Sequence, residues 1–366
     1  MNMKLKMKPI LLSAFILLEV LACKKSDSKG ASVVPDNKIP KDTVLVKITR
    51  DKYTWPFAST SIWNMPIGSN AIYLPANLPV AQHFGIDEEW HIKVAAGDPV
   101  RDIFEPTSWG NRWPGGKKLG EMQVPDQLII PDANPPHTPN ACAVFFLPDG
   151  KHIKQLEPAC RVETGKQIIG YPWPKDIDLY GEGIGGTHYG SGLSALGGSI
   201  RLGELTGDKA IRHALKLNVW GKYLYYGNDV KGFRWPADRS DSYAANNYHG
   251  QNAKLVMGTL LAIRPSVKLE SADLKTNAAK KIFNALKDYG AYVTDDSGWD
   301  DYDLCAAREV LPEMSAVGVN LVGNSGDFYK DMMKIIPLLH IVDNNSATEK
   351  GGGGIPRQPL APSISN

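Results

Sequence analysis

Ten of the 35 glycines of this 366-residue chain fall within the 27 residues from Gly181 to Gly207. Glycine at that density lets backbone pass close to other groups and adopt positive φ. A chain that needed only a core would not require it. The stretch Leu179 to Tyr226 also holds two of the eight histidines, His188 and His213. A phosphate cradle is excluded by spacing, because Gly181-Glu182-Gly183-Ile184-Gly185-Gly186 matches neither the dinucleotide fingerprint nor its strand–helix context. No nucleotide partner is expected.

The N-terminus reads as a targeting segment. Lys4, Lys6 and Lys8 precede an apolar run from Ile10 to Ala22 that is too short to span a bilayer. Val20-Leu21-Ala22-Cys23 resembles the bacterial lipobox, which makes residues 1–22 a signal peptide and Cys23 a lipidated residue. Residues 23–52 are then a tether, and the expected location is the bacterial outer membrane, on its periplasmic or cell-surface side, with the lipid anchor as the only membrane contact. The leader carries +2 (three Lys less Glu19) of the chain's formal +2, so the remainder is neutral. Charge argues against a nucleic-acid partner, since no basic excess exists to displace counterions.

Residues 53–344 read as one large mainly β domain, a β-sandwich or jelly-roll-like fold with long loops and a few peripheral helices. The runs CAVFFL, KHIKQL, KQIIGY, NVWGKYLYY, KLVMGTLLAI and AYVTD are strand-like and separated by turn residues. Prolines 56, 66 and 75 exclude long helices at the entry. Helices are expected at Thr276–Tyr289 and Asp327–Ile336, with a brief turn at Asp208–Leu215. Pro148-Asp149-Gly150 marks a hairpin whose register sets position 142 opposite 157, so a Cys142–Cys160 disulfide and free thiols are equally expected. Residues 345–366, with their Gly351–Gly354 run, read as a flexible tail.

No H-E-x-x-H, C-x-x-C or G-x-S-x-G pattern is present. What stands out is a set of polar groups on glycine-rich and aromatic loops, the usual inventory of a sugar site. Candidate catalytic residues are His188, Tyr189, His213, Tyr248 and Glu204. Candidate substrate-binding residues are Arg201, His249, Gln251, Trp235, Asp238 and Asp241. Each also has a plainer reading: a core histidine for His213, an Arg201 partner or turn cap for Glu204, loop hydrogen bonding for Tyr248–Gln251, and core packing for most tryptophans.

Three motifs, SIWNMPIG at Ser61–Gly68, GGSIRLGEL…IRHAL at Gly197–Leu215 and ALKDYGAYVTD at Ala285–Asp295, resemble a largely uncharacterised family of secreted bacterial proteins over about Ser59–Asp296. The resemblance implies secretion and assigns no reaction.

A polysaccharide partner is expected, with a slight preference for β-elimination of a uronic-acid glycan. A lyase needs its substrate carboxylate neutralised, here by Arg201 or Gln251, a base, His188 or His213, and an acid, Tyr189 or Tyr248. The alternatives are a glycoside hydrolase using a pair among Glu182, Glu204, Asp238 and Asp241, and a non-catalytic glycan-binding lipoprotein. No cofactor is expected. The cluster Asp295, Asp296, Asp300, Asp301 and Asp303 raises Ca²⁺, but it lacks EF-hand spacing and reads better as a solvated acidic loop.

Overall fold

The structure, a computed structural model, describes residues 49–134 and 140–365. The expected signal peptide, Cys23 and nearly all of the tether lie outside the described residues. Among those described, no helix is long and apolar enough to cross a membrane.

In chain order the strands are β1 (Thr49–Arg50), β2 (Tyr73–Pro75), β3 (His83–Lys93), β4 (Val100–Phe104), β5 (Lys118–Gln123), β6 (Ala143–Phe146), β7 (His152–Cys160), β8 (Ile168–Pro172) and β9 (Ile177–Asp178). They continue with β10 (Gly185–His188), β11 (Leu215–Trp220), β12 (Leu260–Ile263), β13 (Ala291–Ser297), β14 (Asp301–Ala307), β15 (Leu339–Val342) and β16 (Ser363–Ile364). The helices are α1 (Ala244–Asn247), α2 (Asn277–Asp288), α3 (Val310–Ala316) and α4 (Gly326–Ile335). The protein is mainly β, as its sequence implies.

Hydrogen bonding joins thirteen strands into one mixed sheet in the order β2-β15-β12-β13-β11-β14-β3-β6-β7-β8-β4-β5, with β9 beside β7. The pairs β11/β13, β14/β3, β3/β6 and β4/β8 are parallel. The two antiparallel sheets of a sandwich or jelly roll are not seen in this pairing. β3 is the longest strand and splices two half-sheets, its first seven residues pairing with β14 and its last four with β6. The hairpin register is as expected, with Ala143 opposite Leu156. Cys142, Cys160 and Cys305 are all buried free thiols.

Alternation divides the central strands between two faces. Leu215, Leu217, Val219, Val293, Tyr302 and Leu304 pack with Ile282, Phe283 and Leu286 of α2 and Phe328 and Met332 of α4. Helix α2 forms where expected, its N-terminus capped by Thr276, whose hydroxyl accepts from the Ala279 N–H. On the other face Leu260, Ala262 and Tyr292 pack with Trp63, Leu193, Ala195 and Leu196, which come from the entry segment and the glycine-rich stretch. Trp63 is where the three quoted motifs meet. Its indole lies against Gly197 and Gly198, where any Cβ would clash, and edge-on to Tyr292 at 5.5 Å.

Several expectations fail for identifiable reasons. Residues 208–214 are irregular rather than helical, and NVWGKYLYY stays extended only to Trp220. Residues 345–365 are held, not loose. Arg357 donates to the Lys287 carbonyl, Lys350 pairs with Glu182 at 2.6 Å, and β16 pairs with β1. Thr49 and Arg50 consequently belong to the folded unit and not to a tether. Asp301 and Asp303, expected in a solvated acidic loop, lie instead in the central strand β14, and Asp295 and Asp296 lie in β13.

Candidate functional site

Across the central strands, side chains on the face away from α2 and α4 are polar where the sheet should be driest. Paired positions place Asp301 beside His83, Asp303 beside Gly85 and Asn218, and Cys305 beside Asp87. A β-bulge in β13 then sets Thr294 and Asp295 opposite the single residue Asn218. Such a bulge re-aims a side chain. Thr294 bonds the Asn218 amide oxygen at 3.0 Å, and Asp295 turns into the cleft beyond.

That cleft encloses about 1250 Å³. Its walls carry Asp87, Glu88, Asp241, Asp295, Asp296, Asp300, Asp301 and Asp303, against only His83 and Arg239 as basic groups among the described lining residues. Aromatic rings complete it. Trp109 and Tyr171 meet Tyr189 edge-on at 6.5 and 5.8 Å, and Tyr243 and Trp299 stand exposed at the rim.

At the floor, Asp241, Asp295 and Asp296 each offer an oxygen within 4.8 Å of the others. Gly190 allows this, because a Cβ there would run into Asp295 Oδ1 and Asp241 Oδ2. Tyr248 donates to Asp241 Oδ2 at 2.5 Å and Tyr243 to Asp296 Oδ1 at 2.8 Å. Asn140 Nδ2 reaches Asp295 Oδ2 at 3.1 Å and Asp87 Oδ2 at 3.4 Å. Burial, then the neighbouring charges of Asp241, Glu157 and Asp296, holds the Asp295 carboxyl well above the usual range. Burial and then Asp241 push Asp296 up to about 7. Burial and then Glu89 push Asp87 up to about 7 as well. Burial raises Asp241, opposed by hydrogen bonds from its tyrosines. Carboxyl groups crowded in this way can share protons, or hold a cation with one oxygen each.

Behind the floor lies a dry ionic group. Lys216 and Glu89, both fully buried, form an ion pair, and Ser199 also donates to Glu89. Lys216 further donates to the carbonyls of Ser194 and Ala195, each at 3.0 Å. His188 Nε2 lies 2.9 Å from Glu89 Oε1 and 3.0 Å from Lys216 Nζ, and its Nδ1 lies 3.8 Å from Asp295 Oδ2. Burial and then Lys216 lower the pKa of His188, so it is neutral. Burial pushes Glu89 up, but Lys216 and His188 outweigh it and hold the carboxyl down to about 2.

The expected site residues are thus only partly gathered. Tyr189 and Asp241 line the cleft, while His188 and Tyr248 sit one layer below it, as partners of Asp295 and Asp241. Asp238 pairs with Arg239 beside a smaller cavity. Arg201, Glu204 and His213 form a cluster of their own, in which the Arg201 N–H bonds Glu204 Oε2 at 2.8 Å and His213 Nε2 lies 3.1 Å from Glu204. None of the three lines the cleft, so their plainer structural readings apply. His249 and Gln251 are exposed, with the Gln251 Nε2 donating to the His249 backbone carbonyl, and Trp235 packs against the Trp63 core. Glu182, an alternative acid, is tied to Lys350 and Thr60 at the surface. Missed from sequence were Asp87, Glu89, Asn140, Glu157, Lys216, Asn218, Arg239 and Tyr243. One signal was available: a lysine inside the apolar run ALKLNVW needs a buried acid, and IDEEWHI offers one.

Compared with known proteins, the chain matches no family model, no curated protein and no solved structure.

Proposed function

We propose that this protein is a glycoside hydrolase acting on uncharged polysaccharide. The observation that carries the reading is the carboxylate trio Asp241, Asp295 and Asp296 at the floor of an aromatic-walled cleft. A uronate lyase would have to bind a polyanion among eight acidic side chains, and Arg201 and Gln251, the groups that could neutralise it, lie outside the cleft. Neutral sugars avoid that repulsion, and the rings of Trp109, Tyr171 and Tyr189 suit their apolar faces.

Asp295 is the proton donor. Burial holds its carboxyl well above the usual carboxylate range, which favours the protonated form, and it accepts from Asn140 and the Asp296 N–H. Asp241 is assigned as the nucleophile: burial raises its carboxyl, and the Tyr248 hydroxyl works against that rise in favour of the ionised form. As the glycosidic C–O bond breaks, the leaving oxygen takes the Asp295 proton and an Asp241 oxygen bonds to the anomeric carbon. Asp295 then takes a proton from water, whose oxygen displaces Asp241 from the sugar. The close approach of these carboxyls suits this retaining sequence rather than inversion, which needs about 6.5–9.5 Å to admit a water. The lipobox at Cys23 supports an outer-membrane site for this activity.

The test is product chemistry on a panel of neutral and uronate polysaccharides. New reducing ends from a neutral glycan, lost in Asp295→Asn, are the expected result. Ultraviolet absorbance from a new C=C bond on a uronate would establish the lyase instead, and binding without cleavage a glycan-binding lipoprotein.

A further inference from the structure

Beside the cleft lies a second cavity of about 360 Å³, lined among others by Trp173, Lys175, Thr187, Tyr189, Asp238 and Arg239. Tyr189 and Arg239 line both spaces, so they form the partition between them. The smaller cavity is built rather than incidental. Arg239 lies over the Trp173 ring, 5.3 Å from its centroid, and grips Asp238 with two hydrogen bonds of 2.6 and 3.2 Å. The Asp238 carboxylate occupies the space where Gly192, at φ +72°, would otherwise carry a Cβ, and the Asp238 N–H is tied to the Ser191 carbonyl at 3.0 Å. The Trp173 indole packs closely on Gly185, where a Cβ would come within 3.2 Å of it. Thr187, only 2% exposed, keeps a hydroxyl with no hydrogen-bond partner.

We propose that this side cavity is a sugar subsite, taking the glycan residue that leaves the cleft past Tyr189 and Arg239. The inference rests on the hydrolase reading above. Trp173 supplies ring surface beside its Arg239 contact for the C–H surface of a pyranose, and the Asp238–Arg239 fork supplies an acceptor and a donor for its hydroxyls. The partition separates an acidic space from one in which Lys175 and Arg239 outnumber Asp238. The subsite therefore accepts neutral residues and tolerates a substituent with partial negative charge, which the main cleft does not.

The test uses cello-, xylo-, manno- and chito-oligosaccharides of two to six units, titrated calorimetrically into full-length Asp295→Asn protein so that the ligand stays intact. Affinity is expected to rise at one chain-length step. Adding Trp173→Ala should remove that step, weakening the longer ligand about ten-fold or more, and leave the shorter ones unchanged. Trp173→Phe should retain most of the step, which separates a lost platform from a misfolded loop. Equal weakening at every length, no weakening at any length, or no binding of any oligosaccharide overturns the subsite. If wild-type protein cleaves no glycan but the Trp173-dependent step is present, the hydrolase reading fails and the subsite stands. If cleavage occurs without the step, the reverse holds.

Discussion

Replacing Lys216 by Met removes the cation from the dry group behind the cleft while keeping most of the side-chain volume. Lys216 is fully buried, and Glu89 lies at 0% exposure with oxygens committed to Lys216, His188 and Ser199. Glu89 is held from its ordinary 4.5 down to about 2, chiefly by Lys216 once burial is overcome. That difference corresponds to about 3 kcal/mol, and removing one partner of a buried pair costs about 3–5 kcal/mol in general. The depressed carboxyl also fixes the pH window: its contribution is present above pH 4.5 and is lost as pH falls through about 2, so at pH 7 it is fully exerted. Urea unfolding of Lys216→Met at pH 7 should show a loss of about 3 kcal/mol. The double variant Lys216→Met/Glu89→Gln should recover most of that loss, because no buried charge is then left alone. A single variant within about 0.5 kcal/mol of wild type, or a double variant no better than the single, would refute the reasoning.

The crowded carboxyls act with the opposite sign. Asp87 and Asp296 are raised from 3.8 to about 7, so their stabilisation is present below the unfolded value and is lost as pH rises toward 7. Stability should therefore fall between about pH 4 and pH 7, by up to about 1.4 kcal/mol per pH unit for each retained proton, and a rise over that range in denaturant titrations would contradict it. Asp295→Asn should lower kcat by about 10²–10⁴-fold with little change in melting temperature, measured by reducing-end release and calorimetry. Gly190→Ala forces a methyl group against Asp295 Oδ1 and Asp241 Oδ2, and should cost about 1–3 kcal/mol of stability along with most of the activity. Tyr248→Phe deletes the 2.5 Å donor to Asp241, so the acid limb of the pH–rate profile should move upward by about one pH unit or more.

Mainly β character was legible because runs such as CAVFFL and KHIKQL carry their own strand signal and turn, and helix α2 because Thr276 caps a clear apolar face. The glycine-rich stretch was legible as a place of close approach, but not as to what approaches. In the fold Gly197 and Gly198 seat Trp63, whereas Gly190 seats Asp295 and Asp241. What stayed hidden was β3 and β14. HFGIDEEWHIK and DYDLCAA carry too many acids to read as central strands, and their burial depends on partners remote in sequence, Lys216 for Glu89 and His83 for Asp301. Tertiary pairing overrides local polarity there. His213 misled for the complementary reason: a histidine amid apolar residues looks reactive until Glu204 is seen to pair with it.

The pairing of Asp295 as acid with Asp241 as nucleophile is tested most directly by intact-protein mass spectrometry of Asp295→Asn, mixed with an aryl glycoside of a sugar the wild type cleaves. Such a leaving group departs without an acid, while the second step still lacks its base, so a glycosyl adduct should accumulate. The expected result is a mass gain of one sugar residue, mapped by peptide digestion to Asp241. Turnover at the wild-type rate with no adduct, or an adduct on any other residue, would contradict that assignment.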